Sequence, residues 1–125
     1  MKSKLIIGTR GSKLALFQAN LVKKKLKTTY PALEVIINII KTKGDKIVDI
    51  ALSKIGDKGF FTKEIQDSLY KKVIDIAVHS LKDLPTELPK GTQIGAILER
   101  ANHRDVLVSI DGKKLADFTS DNTIA

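Results

Sequence analysis

The chain has 125 residues, of which 42% are hydrophobic and 29% are charged; this composition disfavours a disordered chain and fits about one globular domain. It contains no cysteine and two histidines, which excludes disulfides, thiolate metal sites and cysteine nucleophiles within these residues and disfavours a histidine-rich metal site. The net charge of +8 favours an anionic partner, whereas an aromatic content of 5% disfavours a surface that stacks nucleic-acid bases. No apolar run approaches the ~18 residues of a membrane span. We therefore expect a cytoplasmic protein with no metal, nucleic-acid or membrane partner.

The first part of the chain has the pattern of a strand, a helix and a second strand. Residues 4–9 form a short apolar run bounded by glycine, which predicts a buried strand. A helix then begins with Ser12 as its N-cap and ends at Tyr30 and Pro31. Residues 33–40 are β-branched and apolar, which is typical of a strand covered on both faces. The predicted apolar stripe of the helix comprises Ala15, Ala19, Val22 and Leu26, widened by Leu14, Phe17 and Leu21.

The second part of the chain continues this alternation with longer polar segments. Thr62 can open a helix whose apolar face is spaced at four-residue steps. Strands are predicted at 74–78, 93–98 and 106–109 from their apolar content. The other predictions are a polar turn at 42–45, an ambiguous stretch at 47–55, a loop at 56–59, an irregular segment at 79–89 and a helix face made of Phe61, Ile65, Leu69 and Val73.

Strands that alternate with helices predict an α/β fold with right-handed crossovers. In such folds ligands bind beyond the carboxyl ends of the strands. Polar clusters at residues 9–12, 42–45 and 79–83 follow predicted strands, and the loop at 54–63 joins the same edge of the sheet. The sequence therefore predicts a binding site at this edge.

The cluster at residues 9–12 places a cation, a glycine and a hydroxyl between a strand and the start of a helix. Backbone N–H groups at such a position attract anions, and Arg10 can bind a carboxylate through two hydrogen bonds. An ordinary N-cap turn with a surface arginine explains the same residues. Both interpretations stay open.

The cluster at residues 79–83 follows an apolar strand. Asp83 can stabilise a developing cation or accept hydrogen bonds from N–H donors, and Lys82 can bind an acid group. Asp83 can equally be a helix cap. His79 is interpreted as a hydrogen-bonded structural residue, because nothing indicates that it is a base for Ser80.

Two further groups of charged residues allow a structural or a binding interpretation. The lysines of the 54–63 loop can hold carboxylates or be solvated, and the neighbouring Phe61 fits a core position or a surface that stacks on a planar ligand. Arg100, Arg104 and Asp105 can form an ion-pair network or bind a ligand.

Taken together, these clusters resemble the amino-terminal part of the porphobilinogen deaminase family. The resemblance covers nearly the whole chain, and the combination of its motifs is specific. The matching stretches are IGTRGSKLALFQA at 7–19, TKGDKI at 42–47, KIGDKGFFTKEI at 54–65, DIAVHSLKDLPTELP at 75–89 and ERANHRDVLVS at 99–109.

The resemblance implies an enzyme that joins porphobilinogen units head to tail with loss of ammonia, giving hydroxymethylbilane for haem biosynthesis. It implies a domain like those of type II periplasmic binding proteins, with a mixed, mostly parallel sheet flanked by helices. It also implies a dipyrromethane cofactor held by a cysteine that this chain lacks. We expect porphobilinogen and the growing polypyrrole as partners and a monomer as the complete enzyme.

The resemblance further implies a domain order and a set of site residues. We expect an incomplete first domain at 1–99 without its late returning strands, a crossing at 100–105 and the start of a second domain at 106–125. Such a fragment should be inactive alone, and a non-catalytic anion-binding lobe of the same fold is the alternative. Asp83 matches the catalytic position, and the positions that bind substrate or cofactor are Arg10, Ser12, Lys54, Lys58, Phe61, Ser80, Lys82, Arg100 and Arg104.

Overall fold

The computed structural model describes residues 3–46, 62–109, 111–121 and 123. The chain forms two compact units, Met1–Thr92 and Gln93–Ala125. The stretch predicted as ambiguous at 47–55 and the loop at 56–59 lie outside the described residues. The predicted domain boundaries at 99 and 106 stay predictions.

A parallel sheet forms the centre of the first unit. Its strands β1 (Lys4–Thr9), β2 (Glu34–Ile39) and β3 (Ile76–Ala77) lie in the order β2-β1-β3, and both pairings are parallel. The central strand pairs Ile7 with Ile37 on one side and with Ile76 on the other. Parallel neighbours need crossover connections, and helices supply them. The predicted α/β class, with a parallel sheet flanked by helices, is confirmed.

The first crossover is the helix α1 (Lys13–Thr29). The Ser12 hydroxyl oxygen accepts a hydrogen bond from the Ala15 backbone N–H at 3.3 Å, as an N-cap residue does. At the other end, the Lys27 ammonium group donates to the carbonyl oxygens of Pro31 and Leu33, at 2.7 and 3.1 Å. These contacts satisfy backbone groups that the ends of a helix leave without partners. The predicted limits of this helix are confirmed.

The core lies between α1 and the sheet. Ile7 and Ala19 are fully buried, Val35 is 5% exposed, and Val22 and Leu26 pack against them. The predicted stripe is too wide, however, since two of its members lie away from this core. Leu14 is 54% exposed and Phe17 is 67% exposed. Both lie in the first two turns of the helix, where helical spacing alone overstates the buried face.

Two shorter helices follow in the chain. The predicted polar turn at 42–45 is instead the start of α2 (Lys43–Lys46), and the helix predicted at Thr62 is α3 (Lys63–Tyr70). Ile65 is fully buried, as its place on the predicted apolar face requires. Val73 was assigned to the same face and is 49% exposed, because the helix ends at Tyr70 before reaching it.

Gly8 lies close to the side chains of Ile74 and Ile40. A Cβ atom at this position would collide with the side chain of Ile74 and lie 3.3 Å from the Cδ1 atom of Ile40. Ile74 is 2% exposed and has little room to move. A glycine is therefore required at the carboxyl half of β1 by packing rather than by a turn.

The second unit contains one 3₁₀ turn among its described residues, Leu115–Asp117. The strands predicted at 93–98 and 106–109 are wrong, because neither stretch pairs with another described strand. A β-strand is stabilised by backbone hydrogen bonds to a neighbour, and apolar content alone does not supply one. Val106 and Val108 are accordingly 81% and 88% exposed. No helix of the described residues is long and apolar enough to cross a bilayer.

Candidate functional site

A cleft of about 230 Å³ lies in the first unit, just beyond the carboxyl ends of β1 and β3. One wall comes from the start of α1 and carries Arg10, Ser12 and Gln18. This volume is below the ~300 Å³ at which enclosed small-molecule sites begin. The cleft is therefore smaller than most small-molecule sites. The wall that follows β3 carries His79, Ser80, Lys82 and Asp83.

The wall on the α1 side is positioned by the turn that joins β1 to the helix. Thr9, the last residue of the strand, is fully buried, and its hydroxyl donates to the Ala15 carbonyl oxygen at 3.3 Å. Together with the Ser12 cap, this bond ties the turn to the first turn of the helix. Arg10 is half-buried and lies between Thr9 and Ser12 in the chain. The backbone that carries its guanidinium group is therefore held in place.

The opposite wall is positioned by the way β3 ends. The Val78 backbone N–H donates to the Gly8 carbonyl oxygen at 3.0 Å and so extends the alignment with β1 beyond the strand. A 3₁₀ turn, Leu81–Asp83, follows, and the Asp83 backbone N–H donates to the Ser80 carbonyl oxygen at 2.9 Å. This turn leaves Lys82 exposed and Asp83 half-buried at the cleft.

One side-chain hydrogen bond joins the two walls. The Ser80 hydroxyl donates to the Gln18 side-chain oxygen at 3.1 Å, across 62 positions of sequence. Both residues are half-buried. The cleft is therefore closed at this point by a polar bridge between α1 and the end of β3.

His79, on the wall after β3, has a pKa that differs from its ordinary value. Burial lowers the pKa of His79 below its ordinary value; Arg10 lowers it further, while Asp83 opposes both. The imidazole is therefore neutral at pH 7. Among the described residues of the lining, Arg10 and Lys82 are then the cations and Asp83 is the carboxylate.

This arrangement suits an anionic ligand that also carries hydrogen-bond donors. The two cations can hold carboxylates, and the half-buried Asp83 can accept N–H bonds or stabilise a positive charge. The described residues contain no group of three or more histidine, cysteine, aspartate or glutamate side chains placed to ligate a metal ion.

The structure brings together five of the predicted site residues and not the others. The cleft holds Arg10, Ser12, Ser80, Lys82 and Asp83. Three predicted residues, Lys54, Lys58 and Phe61, lie outside the described part of the chain. Arg100 and Arg104 belong to the second unit, where both are exposed.

The third predicted cluster, at residues 42–45, does not line this cleft. Its Lys43 backbone N–H donates instead to the Glu64 side-chain oxygen Oε1 at 3.0 Å. Thr42 is fully buried. This cluster therefore connects α2 to α3, and the prediction of three converging clusters is correct for two of them.

Sequence reasoning missed Gln18 as a lining residue. Gln18 stands three positions after Ala15 and one before the fully buried Ala19, so helical spacing turns it toward the sheet. A polar residue at such a place is the signal that could have identified it. The structural role predicted for His79 stays a prediction; the structure places this residue in the cleft wall.

Comparison with known proteins gives a consistent set of relatives. A family model described as porphobilinogen deaminase, dipyromethane cofactor binding domain, matches residues 5–125. The porphobilinogen deaminase of Syntrophomonas wolfei is 60% identical over 114 residues, which cover 91% of this chain and 37% of that protein. The porphobilinogen deaminase of Chlorobium luteolum is 50% identical over 125 residues, which cover 100% of this chain and 40% of that protein. The chain thus spans about 40% or less of the length of these relatives.

Proposed function

This chain belongs to the porphobilinogen deaminase family, and from that premise we propose that it takes part in the head-to-tail condensation of porphobilinogen to hydroxymethylbilane. Ammonia is lost as each unit is added. The cleft between α1 and the end of β3 is the part of the chain that contacts the substrate in this proposal. The observation that carries it is the half-buried Asp83 in a cleft whose other charged side chains, Arg10 and Lys82, are cations.

The charges of the substrate explain the need for these cations. Each porphobilinogen unit carries an acetate and a propionate, so negative charge accumulates as the polypyrrole grows. Arg10 and Lys82 provide fixed positive charge for such carboxylates, and Arg10 can bind one through two hydrogen bonds. The Ser12 hydroxyl lies on the same wall and adds a neutral donor.

Asp83 has the opposite task in this proposal. When ammonia leaves porphobilinogen, the remaining pyrrole carries a delocalised positive charge. A preorganised carboxylate stabilises that charge, and removing a group of this kind commonly costs about 10²–10³ in rate. The 3₁₀ turn holds the Asp83 backbone in place, so little reorganisation is needed at the moment of reaction.

The residues of the cleft also fit the dipyrromethane cofactor of the family. Its carboxylates match the Arg10, Ser12 and Lys82 side chains, and its pyrrole N–H groups match the Asp83 carboxylate. When bound, such a cofactor supplies the pyrrole terminus to which the first substrate unit is joined. The chain contains no cysteine, so a thioether tether cannot come from these residues.

The remaining assignments rest on the resemblance to the family. We propose carboxylate binding for Lys54, Lys58, Arg100 and Arg104, and a contact of Phe61 with a pyrrole ring. We also propose that the complete protein is a cytoplasmic monomer. Size-exclusion chromatography with light scattering checks the second point, and a dimer would contradict it.

Titration calorimetry of the 125-residue chain with porphobilinogen tests the proposal. We expect saturable binding that weakens by about 10-fold or more in Arg10→Met and in Lys82→Met, because each variant removes a charged hydrogen-bond donor. Asp67→Asn, on an exposed position of α3, is the control and should bind normally. Succinate is the comparison ligand. Equal affinity for succinate and porphobilinogen would favour a plain anion-binding lobe, and no binding of porphobilinogen would contradict the proposal.

A further inference from the structure

The hydrogen bond between Gln18 and Ser80 determines which of their polar atoms remain available to a ligand. We propose that Gln18 is a positioning residue that turns the Ser80 oxygen toward the ligand as an acceptor and offers its own amide N–H group to a carboxylate of porphobilinogen. This inference rests on the function proposed above. It assigns a role to Gln18 and makes the Ser80 oxygen an acceptor.

The first step concerns the proton of Ser80. A serine hydroxyl has one proton and two lone pairs. The proton is committed to the Gln18 oxygen Oε1 at 3.1 Å. Ser80 therefore cannot donate to a ligand carboxylate while this bond exists. Its two lone pairs can accept hydrogen bonds from N–H groups of the ligand.

The second step concerns the amide nitrogen of Gln18. The Oε1 atom is occupied by Ser80, and the two protons on Nε2 have no partner among the described residues. Gln18 is half-buried and lines the cleft, so these protons are available to an acceptor on a ligand. The chemistry that satisfies these protons is an acceptor. In a cleft whose cations attract carboxylates, a ligand carboxylate is the acceptor that fits.

The two steps together assign donors and acceptors to the cleft. The wall formed by α1 donates through Arg10, Ser12 and Gln18, whereas the wall after β3 offers the Ser80 and Asp83 oxygens as acceptors beside the Lys82 cation. Porphobilinogen then lies with a carboxylate toward α1 and N–H groups toward the 3₁₀ turn. A ligand without N–H groups leaves the Ser80 oxygen without a donor. The Gln18–Ser80 pair therefore also discriminates against carboxylates that carry no N–H group.

The first test detects the hydrogen bond between Gln18 and Ser80 in the absence of a ligand. The probe is the side-chain amide signal of Gln18 in the nuclear magnetic resonance spectrum of the ¹⁵N-labelled chain. Ser80→Ala should shift this signal, because the hydrogen bond to Oε1 is lost. The Gln66 side-chain signal is the internal control, since its Nε2 donates to the Thr62 hydroxyl on α3 at 3.3 Å. An unchanged Gln18 signal would overturn the inference.

The second test separates a donor from a structural support. Gln18→Glu keeps an oxygen that can accept from Ser80 but replaces the N–H donors with negative charge. Gln18→Met keeps the length of the side chain and removes both functions. We expect porphobilinogen affinity to fall by about 10-fold in Gln18→Met and further in Gln18→Glu. Gln66→Met makes the same chemical change outside the cleft and should bind normally.

The possible results distinguish this inference from the proposed function. If the unsubstituted chain binds porphobilinogen and both Gln18 variants bind as tightly, Gln18 has no positioning role and the function stands. If Gln18→Glu binds better than Gln18→Met, the residue supports Ser80 but donates to no carboxylate, which also overturns the inference. If the unsubstituted chain does not bind porphobilinogen, the proposed function fails and the carboxylate role of Gln18 fails with it.

Discussion

Asp75 and Ile6 are joined by two hydrogen bonds. The Asp75 backbone N–H donates to the Ile6 carbonyl oxygen at 2.9 Å, and the Asp75 side-chain oxygen Oδ2 accepts from the Ile6 backbone N–H at 2.8 Å. The carboxylate takes the place that a strand carbonyl would occupy. It thus extends the alignment of β1 and β3 although β3 itself has two residues.

Removing this carboxylate should destabilise the first unit. Asp75→Ala leaves the Ile6 backbone N–H without its acceptor in a partly buried place, which costs about 1–3 kcal/mol of the free energy of unfolding. Urea denaturation followed by circular dichroism measures the loss. Asp67→Ala, on the exposed part of α3, is the matched control and should change little. Equal stability of the two variants would show that the carboxylate is not needed.

Gly8→Ala should also be destabilising, for a steric reason. The new methyl group meets the buried Ile74 side chain, and overpacking of this kind costs about 1–3 kcal/mol. Gly95→Ala is the control, since nothing lies within 4 Å of a Cβ atom there. A thermal melt of Gly8→Ala that matches the unsubstituted chain would mean that Ile74 moves aside without cost.

The end of α3 offers a stabilising substitution. Lys72 has a φ of 57°, in the left-handed region that favours glycine. Its backbone N–H donates to the Leu69 carbonyl oxygen, so this residue ends the helix. Lys72→Gly should raise the free energy of unfolding by about 1 kcal/mol. Lys71→Gly should lower it, because Lys71 has a φ of −75° in the right-handed helical region. Urea midpoints of the two variants that move in the same direction would contradict this account.

The stability of the chain should depend on His79 below neutral pH. Burial lowers the pKa of His79 from its ordinary value of 6.5, so the unfolded chain binds the proton more readily than the folded chain. The contribution is therefore fully present above about pH 6.5 and is lost as the pH falls below that value. His79→Gln should flatten this part of the stability curve measured in urea between pH 7.5 and 5.5. His103→Gln, at an exposed position, is the control and should leave the curve unchanged.

Sequence periodicity predicts the parts of this fold that local pattern determines. The order β1, α1, β2 and the limits of α1 follow from the apolar runs, the Ser12 cap and Pro31. The predictions of strands at 93–98 and 106–109 are wrong because a strand needs a neighbouring strand, and the local sequence does not contain that information. The short length of β3 is unpredictable for the same reason. The Asp75 side chain, in place of a strand carbonyl, accepts the hydrogen bond from the Ile6 backbone N–H.

The sequence likewise predicts only part of the candidate site. The cluster at 9–12 and the cluster at 79–83 follow strands that prove to be neighbours of the same central strand, so they meet. The cluster at 42–45 follows β2, on the other side of β1, and contacts α3 instead. The bridge between Gln18 and Ser80 joins residues 62 positions apart, and no local pattern contains that information.

A porphobilinogen titration followed in the ¹H–¹⁵N spectrum of the backbone tests the central claim most directly. The account predicts saturable shifts concentrated at residues 10–18 and 78–83, with Asp83→Asn changing the response of the 3₁₀ turn. Shifts confined to the lysine-rich end of α1, at residues 23–27, would indicate nonspecific attraction to positive charge. That result, or the absence of any shift at the cleft, would contradict the assignment of this cleft to porphobilinogen.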